Sequence, residues 1–133
     1  MIFVDSGAFL ARHVSADSHH ESALSCWDRI ARDREPTATS NFVLDEVFTL
    51  MGRRAGYRFA AERARNIYAS NAIAILRPDR EDELNALKLF EKYADQRVSF
   101  TDCISFVLMR RNRITRVFTF DAHFSLPGFR LIP

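Results

Sequence analysis

The chain opens on Ile2-Phe3-Val4, a short apolar run of β-type residues closed by Asp5, and this pattern predicts a buried strand with a short helix starting at Ser6. Between Asp17 and Asp33 the apolar positions Ala23, Leu24, Trp27, Ile30 and Ala31 recur at helical spacing, and Glu35-Pro36 stops that helix. Thr37-Ala38-Thr39-Ser40 predicts a short extended segment. Its Ser40, or Asn41 after it, can cap a third helix that carries Val43, Val47, Leu50 and Met51 on one stripe. Gly52 and Gly56 bracket the end of that helix, and residues 57–70 predict another, rich in Ala and Arg.

In the second half, Ala72-Ile73-Ala74-Ile75-Leu76 reads as a second buried strand, ended by Arg77-Pro78. Residues 79–94 follow as a helix with Leu87, Phe90 and Tyr93-Ala94 at helical spacing, and Asp79, Glu81, Asp82 and Glu83 load its first turn as the helix dipole favours. Residues 99–111 are apolar nearly all round, through Phe100, Ile104, Phe106, Val107, Leu108 and Met109, which predicts a helix buried on several sides. Arg116-Val117-Phe118-Thr119-Phe120, closed by Asp121, is a third strand and Phe129-Arg130-Leu131-Ile132 a fourth. Strands separated by helices imply right-handed βαβ units, hence an α/β fold whose mainly parallel sheet is covered on both faces.

Composition narrows the class without changing it. With 133 residues, 47% of them hydrophobic, and only 4 Gly and 4 Pro, the chain is neither collagen-like nor disordered. Area scaling gives about 22,000 Å² for the unfolded chain and about 7,000 Å² folded, enough burial for one domain over residues 1–133 without staples. Two cysteines, Cys26 and Cys103, are too few for a disulfide framework. The start MIFVDSGAFLARH has no basic stretch before an apolar run, and no span reaches about 18 uninterrupted apolar residues. A cytoplasmic protein with no membrane segment is the expectation. The 19 Lys+Arg against 17 Asp+Glu leave a formal charge of +2, and all the basic residues are Arg except Lys88 and Lys92. Arg suits phosphate, but compositional bias of the genome explains the same count, and +2 alone does not mark a nucleic-acid binder.

The chemistry is carried by acids. In α/β folds ligand sites form outside the carboxyl ends of parallel strands, and Asp5 and Asp121 each follow an apolar strand directly. Either one alone is explained as the cap of the next helix; two together point to a site. Asp102, in Ser99-Phe100-Thr101-Asp102, falls in the first turn of the buried helix, where a capping box with Ser99 is the competing explanation. One and two turns on from it stand Phe106 and Met109, with no basic partner, and an unpaired buried carboxylate is costly unless a cation neutralises it. Glu46, in Asn41-Phe42-Val43-Leu44-Asp45-Glu46-Val47, lies on the flank of its helix stripe together with Asp45, and periodicity does not choose between them. If these acids converge they repel, and a hard divalent cation, Mg²⁺ or Mn²⁺, is the ion that such oxygen donors select. Ions of this kind hold a phosphate, activate water and stabilise the leaving oxygen, which suggests phosphodiester hydrolysis.

The segments IFVDS, TSNFVLDEVFTL, SFTDCISFVLMRR and VFTFDAHF together resemble the PIN-domain ribonucleases, especially the VapC-like toxins of type II toxin–antitoxin pairs, over nearly the whole chain. The resemblance implies a three-layer α/β/α sandwich and metal-dependent cleavage of RNA. It carries the family's four acids onto Asp5, Glu46, Asp102 and Asp121 as catalytic and metal-holding residues, and its supporting hydroxyls onto Ser6 and Thr119. The residue after the third acid is Cys103 where the family usually has Ala. By the same analogy the partners are an RNA substrate, a small cognate antitoxin and a second copy in a homodimer.

The remaining features are less pointed. His13, His19, His20 and His123 make no zinc-ligand spacing with the cysteines and read as surface or satisfied residues, and there is no glycine-rich phosphate loop or nucleophile elbow. Arg53 and Arg54, and Arg110 and Arg111, are candidates to grip an RNA backbone; a solvated face or an interface with an acidic partner explains them equally well. A non-catalytic module that keeps the fold and binds RNA or protein is the alternative to an enzyme. Four intact acids favour the enzyme. A phosphoacceptor receiver would need an early acidic pair and a late Lys, and neither is present.

Overall fold

In a computed structural model, which describes residues 1–133, the elements follow one another as β1 (Ile2–Val4), α1 (Ser6–His13), α2 (His20–Arg32), β2 (Thr37–Ser40), α3 (Asn41–Ala55), α4 (Tyr57–Ala69), β3 (Ile73–Leu76), α5 (Arg80–Lys92), α6 (Phe100–Arg111), β4 (Arg116–Phe118) and β5 (Arg130–Ile132). The sheet order is β3-β2-β1-β4-β5 and every pairing is parallel. This is the expected α/β class, with a sheet that is wholly rather than mainly parallel. The chain winds from β1 to β2 on one side and later returns to place β4 on the other. Winding therefore reverses at β1, and the crevice outside the carboxyl ends of β1 and β4 is where such a fold forms a site.

Five strands are present, one more than the four predicted. Thr37–Ser40 is a buried strand pairing with β1 and β3, despite its polar sequence TATS. Its hydroxyls are satisfied internally: Thr37 Oγ1 donates to the Ala72 carbonyl at 3.0 Å and Thr39 Oγ1 to the Val4 carbonyl at 2.8 Å, so their burial leaves no polar group unpaired. Conversely β3, predicted to be buried, is the sheet edge; its residues are only half-covered and Ala74 is exposed.

The helix from Asp79 also differs from its apolar pattern. Its buried stripe runs through Asp82, Ala86, partly buried Leu89 and Tyr93, while Leu87 and Phe90 are exposed. An Asp and an Ala occupy two of the core-facing positions, so hydrophobicity alone points to the wrong face. In contrast α6 is as buried as expected, with Cys103, Ile104, Phe106, Leu108 and Met109 fully covered. Phe106 packs edge-on against Tyr93 and Phe124, which fixes α6 against the segment that follows β4. Between α3 and α4 the turn falls at Gly56, with φ of +100°, and a Cβ on Gly52 would lie 2.5 Å from the Tyr57 ring; both positions need glycine.

Candidate active site

Asp5 is the cap residue of α1, one step past β1, and it is buried. Its Oδ2 accepts a hydrogen bond from Thr119 Oγ1 at 2.8 Å, while Oδ1 is buried with no partner. Thr119 lies just beyond β4 rather than inside the strand, and its hydroxyl also accepts the Asp121 backbone N–H at 3.0 Å. One hydroxyl therefore ties the first acid to the last across the β1–β4 crevice. Ser6, the first residue of α1, is half-buried and supports Asp5 through its backbone N–H.

Asp102 occupies the third position of α6, whose first turn is capped by Ser99 Oγ accepting the Asp102 backbone N–H at 3.0 Å. The cap is one-sided: the Asp102 carboxylate does not return to the Ser99 N–H but faces the other acids. Glu46, on α3, is half-buried and near enough to Asp121 to feel its charge, whereas Asp45 beside it is exposed. Asp121 begins a 3-10 turn, Ala122–Ser125, and its Oδ1 accepts the His123 backbone N–H at 2.9 Å. The turn folds His123 back, so that its Nδ1 lies 3.0 Å from the same oxygen.

Electrostatics mark this cluster as incomplete. Burial pushes the Asp5 carboxyl up to about 6 against the stabilising hydrogen bonds of Thr119 and Ser6, with Glu46 and Asp121 adding repulsion. Asp102 is raised to about 8, first by burial and then by Asp5 and Asp121. Glu46 is raised by burial and by Asp121. No Arg or Lys lies within ion-pair distance of any of the three. Two buried carboxylates with no Arg or Lys paired to them, one with an orphaned oxygen, beside two half-buried ones, are what a divalent cation would satisfy, and oxygen donors suit a hard ion. Ligand atoms of Asp102, Asp121 and His123 all lie within 4.8 Å of one another. A cleft of about 780 Å³ runs among Phe9, Arg12, Trp27 and Arg63 and includes none of the four acids.

A PIN domain model matches residues 2–129. The chain belongs to the PIN-domain family. This PIN domain is 34% identical over 129 residues to the 23S rRNA-specific endonuclease VapC20 of Mycobacterium tuberculosis, covering 97% of the present chain and 95% of that protein. It superimposes on the crystal structure of the same VapC20, a sarcin–ricin loop cleaving toxin, with a TM-score of 0.88 at 32% identity, over 97% of this chain and 96% of that one. A toxin–antitoxin complex from Klebsiella pneumoniae shares the fold at a TM-score of 0.63 and 16% identity, over 100% of this chain and 97% of that one.

The arginines separate into two cases. Arg110 and Arg111 lie at the far end of α6, which returns to the amino end of the sheet, about 12 Å of helix away from Asp102. Arg111 is also engaged by Asp82 and Asp79 of α5, so the PIN domain uses it to join two helices, while Arg110 is exposed. Arg53 and Arg54 are exposed at the end of α3, about two turns beyond Glu46, with Arg54 3.5 Å from Asp17. By sequence, His123 reads as a surface or satisfied residue although it follows the last acid by two positions, and the structure brings it to Asp121. Asn41 is passed over too, and its buried Oδ1 has no partner at the carboxyl end of β2. Only for His123 was a signal available: it stands two residues after an acid in a segment too short for anything but a tight turn.

Proposed function

We propose that this protein is a divalent-metal-dependent endoribonuclease, the toxin of a toxin–antitoxin pair, and that it hydrolyses a phosphodiester bond in ribosomal RNA. The observation that carries the reading is the group of four acids, Asp5, Glu46, Asp102 and Asp121, at the winding reversal of the sheet, with no Arg or Lys paired to any of them and His123 beside Asp121 as their one basic neighbour. The 34% identity to a 23S rRNA-specific endonuclease over nearly the full chain supports the choice of substrate.

Asp5, Asp102 and Asp121 are the residues to hold Mg²⁺ or Mn²⁺, with Glu46 a further ligand directly or through water. Bound there, the ion lowers the pKa of water and stabilises charge on the phosphate and on the leaving oxygen. The chain's own contribution is placement. Thr119 occupies Asp5 Oδ2 and leaves Oδ1 as the free donor atom. The same hydroxyl and the 3-10 turn fix Asp121 from both sides. Ser6 backs Asp5, and the α6 N-terminus offsets part of the charge of Asp102. Arg54, 3.5 Å from the Asp17 that binds the His19 N–H and so linked to the ring stacked on Phe120 beside Asp121, is the side chain to hold RNA phosphates leading to the acids, with Arg53 next to it. In-line attack of water on phosphorus forms one P–O bond and breaks the bond to the 3′-oxygen, leaving a 5′-phosphate and a 3′-hydroxyl.

The test is direct. Purified protein incubated with 23S rRNA is expected to make a discrete cut with Mg²⁺ or Mn²⁺ and none in EDTA, and Asp5→Asn is expected to abolish the cut with the circular dichroism spectrum unchanged. Cleavage that persists in EDTA or in Asp5→Asn overturns the assignment. A cognate antitoxin and a homodimer are part of the same reading, checked by co-purification with the product of a short neighbouring gene and by sedimentation at high concentration. Its site of action is the cytoplasm, where ribosomes are; no helix is long and apolar enough to cross a membrane.

A further inference from the structure

His19 and Phe120 come from opposite ends of the chain and lie flat against each other, with ring centroids 4.2 Å apart and planes 6° from parallel. Phe120 stands between Thr119, which holds Asp5, and Asp121. Its ring lies over the first turn of α1, where a Cβ on Gly7 would be 3.8 Å from it, and its inner side meets Phe118 at 6.0 Å. His19 covers the ring from outside and is itself exposed.

The backbone that carries the imidazole is held in place. The His19 backbone N–H donates to Asp17 Oδ1 at 2.9 Å, Asp17 is 3.5 Å from Arg54, and His20 is anchored through Nδ1 at 2.6 Å from the Ala11 carbonyl. A stacked pair at the surface gains little for the core, because one of its rings remains in water. What it does supply is a flat aromatic face stacked on the residue before Asp121, with Arg54 nearby through Asp17.

We propose that His19, backed by Phe120, is a base-stacking platform that receives an unpaired base next to the scissile phosphate. Proteins that read RNA in loops splay bases out and stack them on Phe, Tyr, Trp or His faces, and such stacking is tolerant of base identity because every base has a π-face. Phe120 directly precedes Asp121 and directly follows Thr119, so the platform is carried by the same short segment as the last acid, and the nucleotides flanking the cut are the ones it would receive. The inference deepens the ribonuclease reading and rests on it.

The experiment uses a stem–loop RNA with the sarcin–ricin sequence, carrying 2-aminopurine in turn at each nucleotide flanking the cut. Binding is followed by fluorescence with Ca²⁺ in place of Mg²⁺, and cleavage separately with Mg²⁺. The wild-type protein quenches 2-aminopurine at one flanking position. His19→Ala loses that quench and raises KM roughly tenfold, with the effect on KM rather than kcat. His19→Tyr restores both and His19→Lys restores neither, which separates stacking from attraction of phosphate by a cation. His19→Ala with unchanged quench and KM, or rescue by Lys and not by Tyr, overturns the platform while leaving the nuclease reading intact. A wild-type protein that neither binds nor cuts the RNA fails both.

Discussion

Asp82 and Asp102 occupy the same position in two neighbouring helices and have opposite fates. Each is the third residue of its helix, each is buried, and each donates its backbone N–H to a cap side chain, Asp79 in α5 and Ser99 in α6. Asp82 completes its capping box by accepting the Asp79 N–H at 3.0 Å and takes the Arg111 guanidinium as well. Asp102 does neither. Its carboxyl meets Asp5, Asp121 and Glu46, and burial among them raises its pKa to about 8. The same local motif serves stability where the carboxylate is answered by a backbone N–H and a guanidinium, and function where the answer is left to a ligand.

The comparison breaks most sharply in activity. Asp102→Asn is expected to lower cleavage at least about a thousandfold, the scale on which losing a group that stabilises developing charge is felt, while Asp82→Asn stays within a few-fold of wild type in the same assay. Comparable losses in both variants would mean that Asp102 acts through the fold.

Stability reverses the ranking. Asn at position 102 removes a carboxylate that is repelled by its neighbours, so metal-free Asp102→Asn is expected to be more stable than wild type at pH 8 by on the order of 2–3 kcal/mol. Asp82→Ala removes a cap and an ion pair whose Arg111 partner is 46% exposed, and is expected to cost about 1–2 kcal/mol. Urea unfolding in EDTA measures both.

The pH dependence sharpens the cause. Asp5 and Asp102 bind protons more tightly folded than unfolded, with pKa values of about 6 and about 8 against an ordinary 3.8. Their contribution is therefore full below the unfolded value and is lost as pH rises through the folded ones. Metal-free protein is expected to lose stability between pH 5 and pH 8, added Mg²⁺ to restore more at pH 8 than at pH 5, and Asp102→Asn to flatten the slope. Thermal melts with and without Mg²⁺ across that range decide it.

The smallest effect separates two adjacent acids. Glu46→Gln is expected to reduce cleavage roughly ten- to a hundredfold, as loss of a supporting ligand does, and Asp45→Asn to leave it unchanged. The reverse order would place the wrong acid of the pair in the site.

Much of this was legible along the chain. Asp5 and Asp121 stand out because an apolar strand run ends abruptly on an acid, and α6 because its apolar positions leave no polar face. Other features were not. TATS hides a buried strand, since its hydroxyls find carbonyls only on β1 and in the turn before β3. The face of α5 is set by an Asp whose burial is answered by its own capping box and by Arg111 from another helix. The roles of Arg111 and of His19 likewise depend on partners 29 and 101 residues away.

By itself the sequence determined the alternation of strands and helices, the acids that end the strands, and the excess of carboxylates that a cation must answer. These follow from local pattern, because hydrophobic period and strand termini are properties of neighbouring residues. Tertiary structure alone decided which acid of a pair faces inward, which capping motif is structural, which arginine is spent between helices, and that His123, His19 and Phe120 gather beside the acids. Those outcomes depend on distances between residues far apart in the chain, and burial without a counter-charge, the property that distinguishes Asp102 from Asp82, exists only once the chain has folded.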